Sequence, residues 1–162
     1  MTGNLTRRCD KLAFYGVNTD SGVKFSKMQG FTSIVTNKNP HTYTRRYVDE
    51  PFEQSDVVGY SPSVSYAFDR FTGNPVHDDI VNISDNELTG DDAIRSIIIV
   101  DMTKKAENGF VAVKRNFSII PDSEGNDNDA YTYSGTMKVK SEKITGIAVI
   151  DGDFCTFTES DS

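Results

Sequence analysis

A chain of 162 residues with a formal net charge of −7 is long enough to bury one core and too acidic as a whole to clamp nucleic acid, which calls for excess Lys and Arg. Hydrophobic residues at 36% and charged residues at 25% exclude a disordered composition, and no apolar run approaches the length of a membrane span. Ten Phe and seven Tyr against no Trp favour strands, because aromatic rings fit a pleated, half-buried surface.

At the N-terminus Arg7 and Arg8 are followed by no apolar segment of the kind a secretory signal carries, so a cytoplasmic origin is expected. On that expectation the sequons at Asn4, Asn82 and Asn116 are chance matches. Cys9 and Cys155 lie near opposite ends and match no metal spacing. Two free thiols are expected in a reducing compartment, although a terminus-to-terminus disulfide is geometrically conceivable.

From Lys11 onward, short strand-like runs alternate with turn residues, and no repeat or linker divides residues 1–162, so a single domain is expected. "KLAFYGV" and "VKFSKM" flank "NTDSG", a hairpin connection, and "FTSIVT" reads as the next strand. "NKNPHTYTRRYVDEPFEQ" is too polar to be buried deeply, yet its Tyr and Thr residues permit an extended ribbon. An exposed arm is therefore expected at about residues 37–56. Arg45 and Arg46 beside Tyr43 and Tyr47 imitate an aromatic–basic nucleic-acid patch. With Asp49, Glu50 and Glu53 just downstream, an ion-paired protein interface is the better reading. The candidate interface set is Tyr43, Arg45, Arg46, Tyr47, Asp49 and Glu50.

Val57 to Phe68 has a period of two, with Val58, Tyr60, Val64, Tyr66 and Phe68 on one face and Gly59, Ser61, Ser63, Ser65 and Ala67 on the other. Pro62 puts this run at an edge or a bulge. "NPVHDDIVNIS" reads as the one helix: Asn74 caps it, Pro75 takes its first position, and Val76, Ile80 and Ile83 form an apolar stripe. Ser84 to Glu87 resembles a second capping box. "IRSIIIV" and "ITGIAVI" are apolar on both faces and read as central strands, while "FVAVKRNFSII" keeps Val111, Val113, Phe117 and Ile119 in phase. "YTYSGTMKV" sets Tyr131, Tyr133, Met137 and Val139 against Thr132, Ser134, Thr136 and Lys138, and Asp151-Gly152 marks a final hairpin. Between these strands an acidic loop is expected at about 121–130, where "DSEGNDND" imitates a calcium loop. Its Gly is misplaced and Tyr133 stands where a bidentate Glu is needed.

His77, Asp78 and Asp79 are the one grouping that invites a catalytic or metal reading. His77 has no second His or Cys at ligand spacing, and consecutive helical positions point about 100° apart and do not converge. The solvated polar face of a surface helix is the expected role. No catalytic residue, cofactor site or metal site is assigned, and no enzyme is expected.

The order of these segments carries a resemblance. From Gly30 to Asp101, "YVDEPFEQSDVVGYSPSVSY", "NPVHDDIV" and "NELTGDDAIR" follow one another as in the major tail tube proteins of long-tailed (siphovirus-type) phages and prophages of Gram-positive bacteria. The likeness continues more loosely through "GTMKVKSEKITGIAVI" to about Ile150. It implies a mainly β fold, two packed antiparallel sheets in a sandwich or barrel-like arrangement flanked by one α-helix. It further implies a structural virion protein that assembles into stacked hexameric rings, a conduit for DNA ejection. The implied partners are the chain itself, tape-measure, tail terminator and distal tail proteins, with DNA passing transiently and no membrane. The implied location is the virion, after the host cytoplasm. On this reading Ser61, Ser63, Ser65, Thr132, Ser134 and Thr136 are candidates for a smooth polar lumen, an inference from the residues themselves. Alternatives kept open are the tube of a contractile tail, bacteriocin or type VI-like device, a small monomeric binding module, and a metal-dependent enzyme using His77, Asp78 and Asp79.

Overall fold

Turn chemistry at both ends of the chain sets the frame. A computed structural model describes residues 2–160. Its strands are β1 (Lys11–Thr19), β2 (Gly22–Lys27), β3 (Phe31–Asn37), β4 (Pro40–Arg45), β5 (Gln54–Tyr60), β6 (Ser63–Asp69), β7 (Ile94–Lys105), β8 (Phe110–Glu124), β9 (Thr132–Val139), β10 (Ile144–Asp151) and β11 (Phe154–Glu159). The helix α1 (Pro75–Asp85) lies between β6 and β7. The β1–β2 and β10–β11 hairpins form where "NTDSG" and "DG" predict them. Gly152, at φ 62°, supplies the left-handed residue that the two-residue β10–β11 loop needs.

All pairings are antiparallel, and the order β10-β11-β2-β1-β7-β8-β9-β6-β3 forms one nine-stranded sheet. The first part of β8 also pairs with β10, Phe110 to Lys114 against Ala148 to Ile144, which closes six of these strands into a barrel. The later part of β8 leaves the barrel and continues with β9, β6 and β3 as a four-stranded sheet. The expected two layers are present, joined through β8.

Alternation along β1 and β7 divides the core in two. Phe14, Ile98 and Val100 point into the barrel with Ala112, Ala148 and Cys155. Tyr15 and Ile97 point outward, packing with Val64, Tyr66, Phe68, Tyr133 and Met137 of the four-stranded sheet. Both faces of "IRSIIIV" are thus covered, as its unbroken apolar run predicts. "ITGIAVI" is not: Gly146 and Ala148 face the barrel interior, whereas Val149 on the outer side is exposed, so β10 is a one-sided wall strand. Along β8 the predicted face is correct but covered only in its second half, where Phe117 and Ile119 are buried and Val111 is not.

The run Val57 to Phe68 is two strands. Pro62 has no N–H to donate, and at Ser61–Pro62 the chain passes from β5 to β6, from one sheet to another. Val64, Tyr66 and Phe68 enter the core as predicted, but Val58 and Tyr60 remain 66% and 59% exposed on the β4–β5 ribbon. Tyr131 is likewise exposed, one residue before β9 begins, with its hydroxyl on Glu124 at 3.0 Å.

The helix forms as its caps require. The Asn74 side-chain oxygen accepts from the N–H groups of Val76 and His77, and Val76, Ile80 and Ile83 are buried. The second capping box does not start a helix. Glu87 takes a left-handed φ of 49° in the turn that follows α1, and a short 3-10 turn, Gly90–Ala93, leads into β7. Gly135 in β9 has a packing reason to lack a side chain: a Cβ there would press on the Ile120 carbonyl and lie 2.7 Å from the Tyr66 hydroxyl.

Candidate functional site

The polar cluster on α1 is built into the fold. His77 is fully buried, stacked on Phe68 at 4.4 Å between ring centroids. Its Nδ1 accepts from the Phe71 backbone N–H at 3.0 Å, and its Nε2 lies 2.6 Å from the Gln29 carbonyl, which only a protonated Nε2 can approach as a donor. That tautomer is neutral, and burial lowers the affinity of the ring for a second proton. Asp79 turns inward as well. It receives the Arg95 guanidinium (Nε at 2.8 Å, Nη2 at 3.3 Å) and the Tyr15 hydroxyl at 2.5 Å. Burial first, and the Asp79 charge second, push the Tyr15 hydroxyl well above its ordinary pKa. Asp78 alone stays at the surface, paired with Arg70 at 2.6 Å.

The solvated-face expectation therefore holds for Asp78 and fails for His77 and Asp79. These two clamp the helix to the barrel wall and to the Gln29–Phe71 loops. The three side chains point in different directions, each toward a protein partner. Among the described residues no group of three or more His, Cys, Asp or Glu is placed to hold a metal ion. Cys9 is exposed, Cys155 is buried and they are unbonded; burial pushes the Cys155 thiol up to about 12.

A second constellation is the face of the four-stranded sheet turned away from the core. Ser65 sits opposite Thr136, Ala67 opposite Ser134 and Asp69 opposite Thr132, so Ser63, Ser65, Thr132, Ser134 and Thr136 share one continuous surface. Hydroxyls and amides tie it together: Ser123 to Ser134 at 2.7 Å, and Asn39 to Ser63 at 3.0 Å. Ser61 does not belong to this face. It lies at the root of the ribbon, with its hydroxyl 2.7 Å from His41. The face also takes in Ser33, Val35 and Asn37 of β3, opposite Ala67, Ser65 and Ser63. "FTSIVTN" does alternate, but only its pairing with β6 shows that these residues extend the same surface.

This sheet ends in two open edges among the described residues. On one side β3 pairs only with β6, and its outer edge receives the Arg8 guanidinium at the Ile34 carbonyl, 3.2 Å. On the other side β8 pairs with β7 only as far as Ser118, so beyond Ser118 it has a partner only in β9. Unpaired strand edges are templates for another chain.

The candidate interface residues lie on the ribbon, a separate two-stranded sheet of β4 and β5. Every residue of β4 is exposed, and Tyr43, Tyr47, Val48, Phe52, Val57, Val58 and Tyr60 present exposed apolar surface among the described residues. Arg45 folds back on Tyr43, its guanidinium carbon 5.0 Å from the ring centre, and Gln54 bonds Glu50 across the tip. Arg46, Tyr47 and Asp49 belong to the exposed tip. The apolar content of the ribbon is larger than its charged residues suggest, because Val57, Val58 and Tyr60 belong to it rather than to the core.

No helix among the described residues is long and apolar enough to cross a membrane. No protein-family model and no curated protein matches the sequence. Solved structures do match the fold. A chain from the tail of an empty GTA particle, refined with C6 symmetry, aligns over 86% of this chain and 97% of its own at TM-score 0.61 and 14% identity. A chain from the six-fold symmetrised baseplate of the anti-feeding prophage (AFP) aligns over 90% of this chain and 96% of its own at TM-score 0.50 and 10% identity. The protein thus shares its fold with a chain of the six-fold GTA tail and a chain of the six-fold AFP baseplate.

Proposed function

We propose that this protein is a structural tail subunit, the major tube component of a long-tailed phage or prophage, and that six copies close into rings that stack into a DNA conduit. The observation that carries this reading is the fold likeness, which spans nearly the whole of both chains and involves six-fold assemblies in both cases. The two open edges support it. A subunit with one free edge at each side of the same sheet can pair head to tail with copies of itself, and such heterologous contacts close into a ring when the rotation permits. The resemblance of Gly30 to Asp101 to tail tube proteins of Gram-positive phages supports the long-tailed assignment.

In such a ring the hydroxyl face of β3, β6, β9 and β8 lines the lumen. Between Lys138 at one end and Asp69 at the other, the small neutral groups of this face offer passing phosphate little to bind in a protein of net charge −7. The ribbon, with Tyr43, Arg45, Arg46, Tyr47, Asp49 and Glu50, reaches a neighbouring subunit and buries its apolar residues there. Tape-measure, terminator and distal tail proteins are the further partners of a tube of this kind. The protein is made in the host cytoplasm and ends in the virion.

Negative-stain microscopy of the concentrated purified protein tests the reading. Rings or tubes with six-fold symmetry are expected, and a monodisperse monomer at high concentration would overturn it. The baseplate origin of one structural neighbour favours a second reading, a terminal ring or tube component of a contractile device. Rings that never elongate, or co-assembly with a sheath protein, would select it.

A further inference from the structure

Acidic and basic side chains sit at opposite ends of the β8–β9 hairpin. At the end where Glu124 faces Tyr133, β8 carries Asp122 and Glu124 and the connecting loop carries Asp127 and Asp129. Asp85 ends α1, and Glu87, in the turn after it, lines a groove shared with Asp122 and Glu124. Arg70, whose backbone N–H donates to the Tyr131 carbonyl at 2.9 Å, has its guanidinium engaged by Asp78. At the opposite end, where Phe117 faces Val139, Lys138 and Lys140 line one groove; Arg115 donates to the Ser141 carbonyl at 2.9 Å, Lys143 leads into β10, and Lys38 follows Asn37, which pairs with Ser63. Glu142 is the one acid in that group. The two ends stand roughly 24 Å apart, seven strand residues at about 3.4 Å each.

We infer that copies of this protein stack through these two surfaces, the acidic end of one ring facing the basic end of the next. The inference rests on the ring reading above and adds the axial contact to it. Self-complementary ends on one chain define a direction. Like ends repel, so head-to-head stacking is disfavoured and every added ring presents the same free surface as the last. A nucleic acid is the other conceivable occupant of the basic end. The second copy is favoured because its counter-surface is present on the same chain, whereas phosphate would approach a protein of net charge −7.

Charge reversal tests this with an internal rescue. The acidic-end variant Asp85→Lys/Asp122→Lys/Asp127→Lys/Asp129→Lys and the basic-end variant Lys138→Glu/Lys140→Glu/Lys143→Glu alter exposed side chains only, and each reverses the sign of the end it changes. Each is expected to form rings but lose sedimentable tubes, since its two ends now carry the same sign. Combining all seven substitutions reverses both ends and restores complementarity, so tubes return. Wild-type tubes are also expected to fall apart into rings between about 0.1 and 1 M salt, as the screening length drops from about 10 to about 3 Å.

Tubes from either half-variant equal to wild type would overturn the inference, as would intact rings of the combined variant that fail to stack. If the half-variants form no rings, the salt series decides, and wild-type tubes unchanged at high salt overturn the proposal. A basic-end variant that stacks normally but no longer retards DNA would assign that end to nucleic acid and likewise overturn it. Wild-type protein that forms neither rings nor tubes would instead sink the proposed function itself.

Discussion

Replacing Asp79 with Ala should cost far more than a surface carboxylate would. Its side chain is mostly shielded, and Arg95 beside it is buried at 8% exposure. Removing the carboxylate strands two groups at once: the guanidinium loses Nε and Nη2 contacts, and the buried Tyr15 hydroxyl loses its acceptor. Breaking a buried pair by deleting one partner costs about 3–5 kcal/mol. The lower end applies here, because Nη1 of Arg95 keeps the carbonyls of Asp92 at 2.9 Å and Ile94 at 2.8 Å. A loss of about 3 kcal/mol is a large share of the roughly 5–15 kcal/mol that holds a domain folded. At roughly 2–4 °C per kcal/mol it lowers Tm by about 6–12 °C. Urea titration followed by far-UV circular dichroism measures it, since the chain has no Trp. The companion variant Asp79→Leu/Arg95→Met/Tyr15→Phe removes the stranded guanidinium and hydroxyl, though it frees the Asp92 and Ile94 carbonyls, and should recover part of the loss. A cost for Asp79→Ala below about 1 kcal/mol, the range of an exposed ion pair, would refute the buried-clamp account.

The neutral, buried His77 makes stability pH-dependent: its folded pKa lies below the unfolded value, so its contribution is complete above about pH 6.5 and declines as pH falls below that. Urea midpoints from pH 7.5 down to 5 should fall for wild type, and His77→Gln, less stable throughout, should flatten that slope; an equal slope in both would assign the effect elsewhere. The Tyr66 hydroxyl is the buried side-chain oxygen without a partner among the described residues. Tyr66→Phe should therefore be neutral or stabilising by about 1 kcal/mol, and a clear drop in Tm would reveal a partner for that oxygen. Arg45→Glu/Arg46→Glu should leave the circular dichroism spectrum intact and prevent tube formation, whereas unchanged tubes by microscopy would remove the ribbon tip from the subunit contact.

Local rules made much of this fold readable. Turn residues located the terminal hairpins, the Asn74–Pro75 pair fixed the helix start, and Tyr133 and Met137 against Thr132, Ser134 and Thr136 gave the faces of β9. What failed was whatever depended on distant partners. Asp79 looked solvated because Arg95 lies sixteen positions away and Tyr15 sixty-four, beyond any helical period. His77 is polar by type, but the loops at Gln29 and Phe71 offered it an acceptor and a donor that no pattern in α1 announces. Val58 and Tyr60 kept perfect phase with Val64, yet phase cannot show that the chain changes sheets at Pro62. The open edges of β3 and β8 were unreadable for the same reason, since an edge is defined by a missing neighbour.

Because β8 is at once a stave of the closed barrel and a member of the four-stranded sheet, no hinge separates those two walls. A load on the sheet passes along an unbroken backbone into the barrel, whose strands brace one another all the way around. In a ring of such subunits, widening the bore would mean straining six barrels together, so the channel diameter is held by covalent continuity within each copy as well as by the contacts between them.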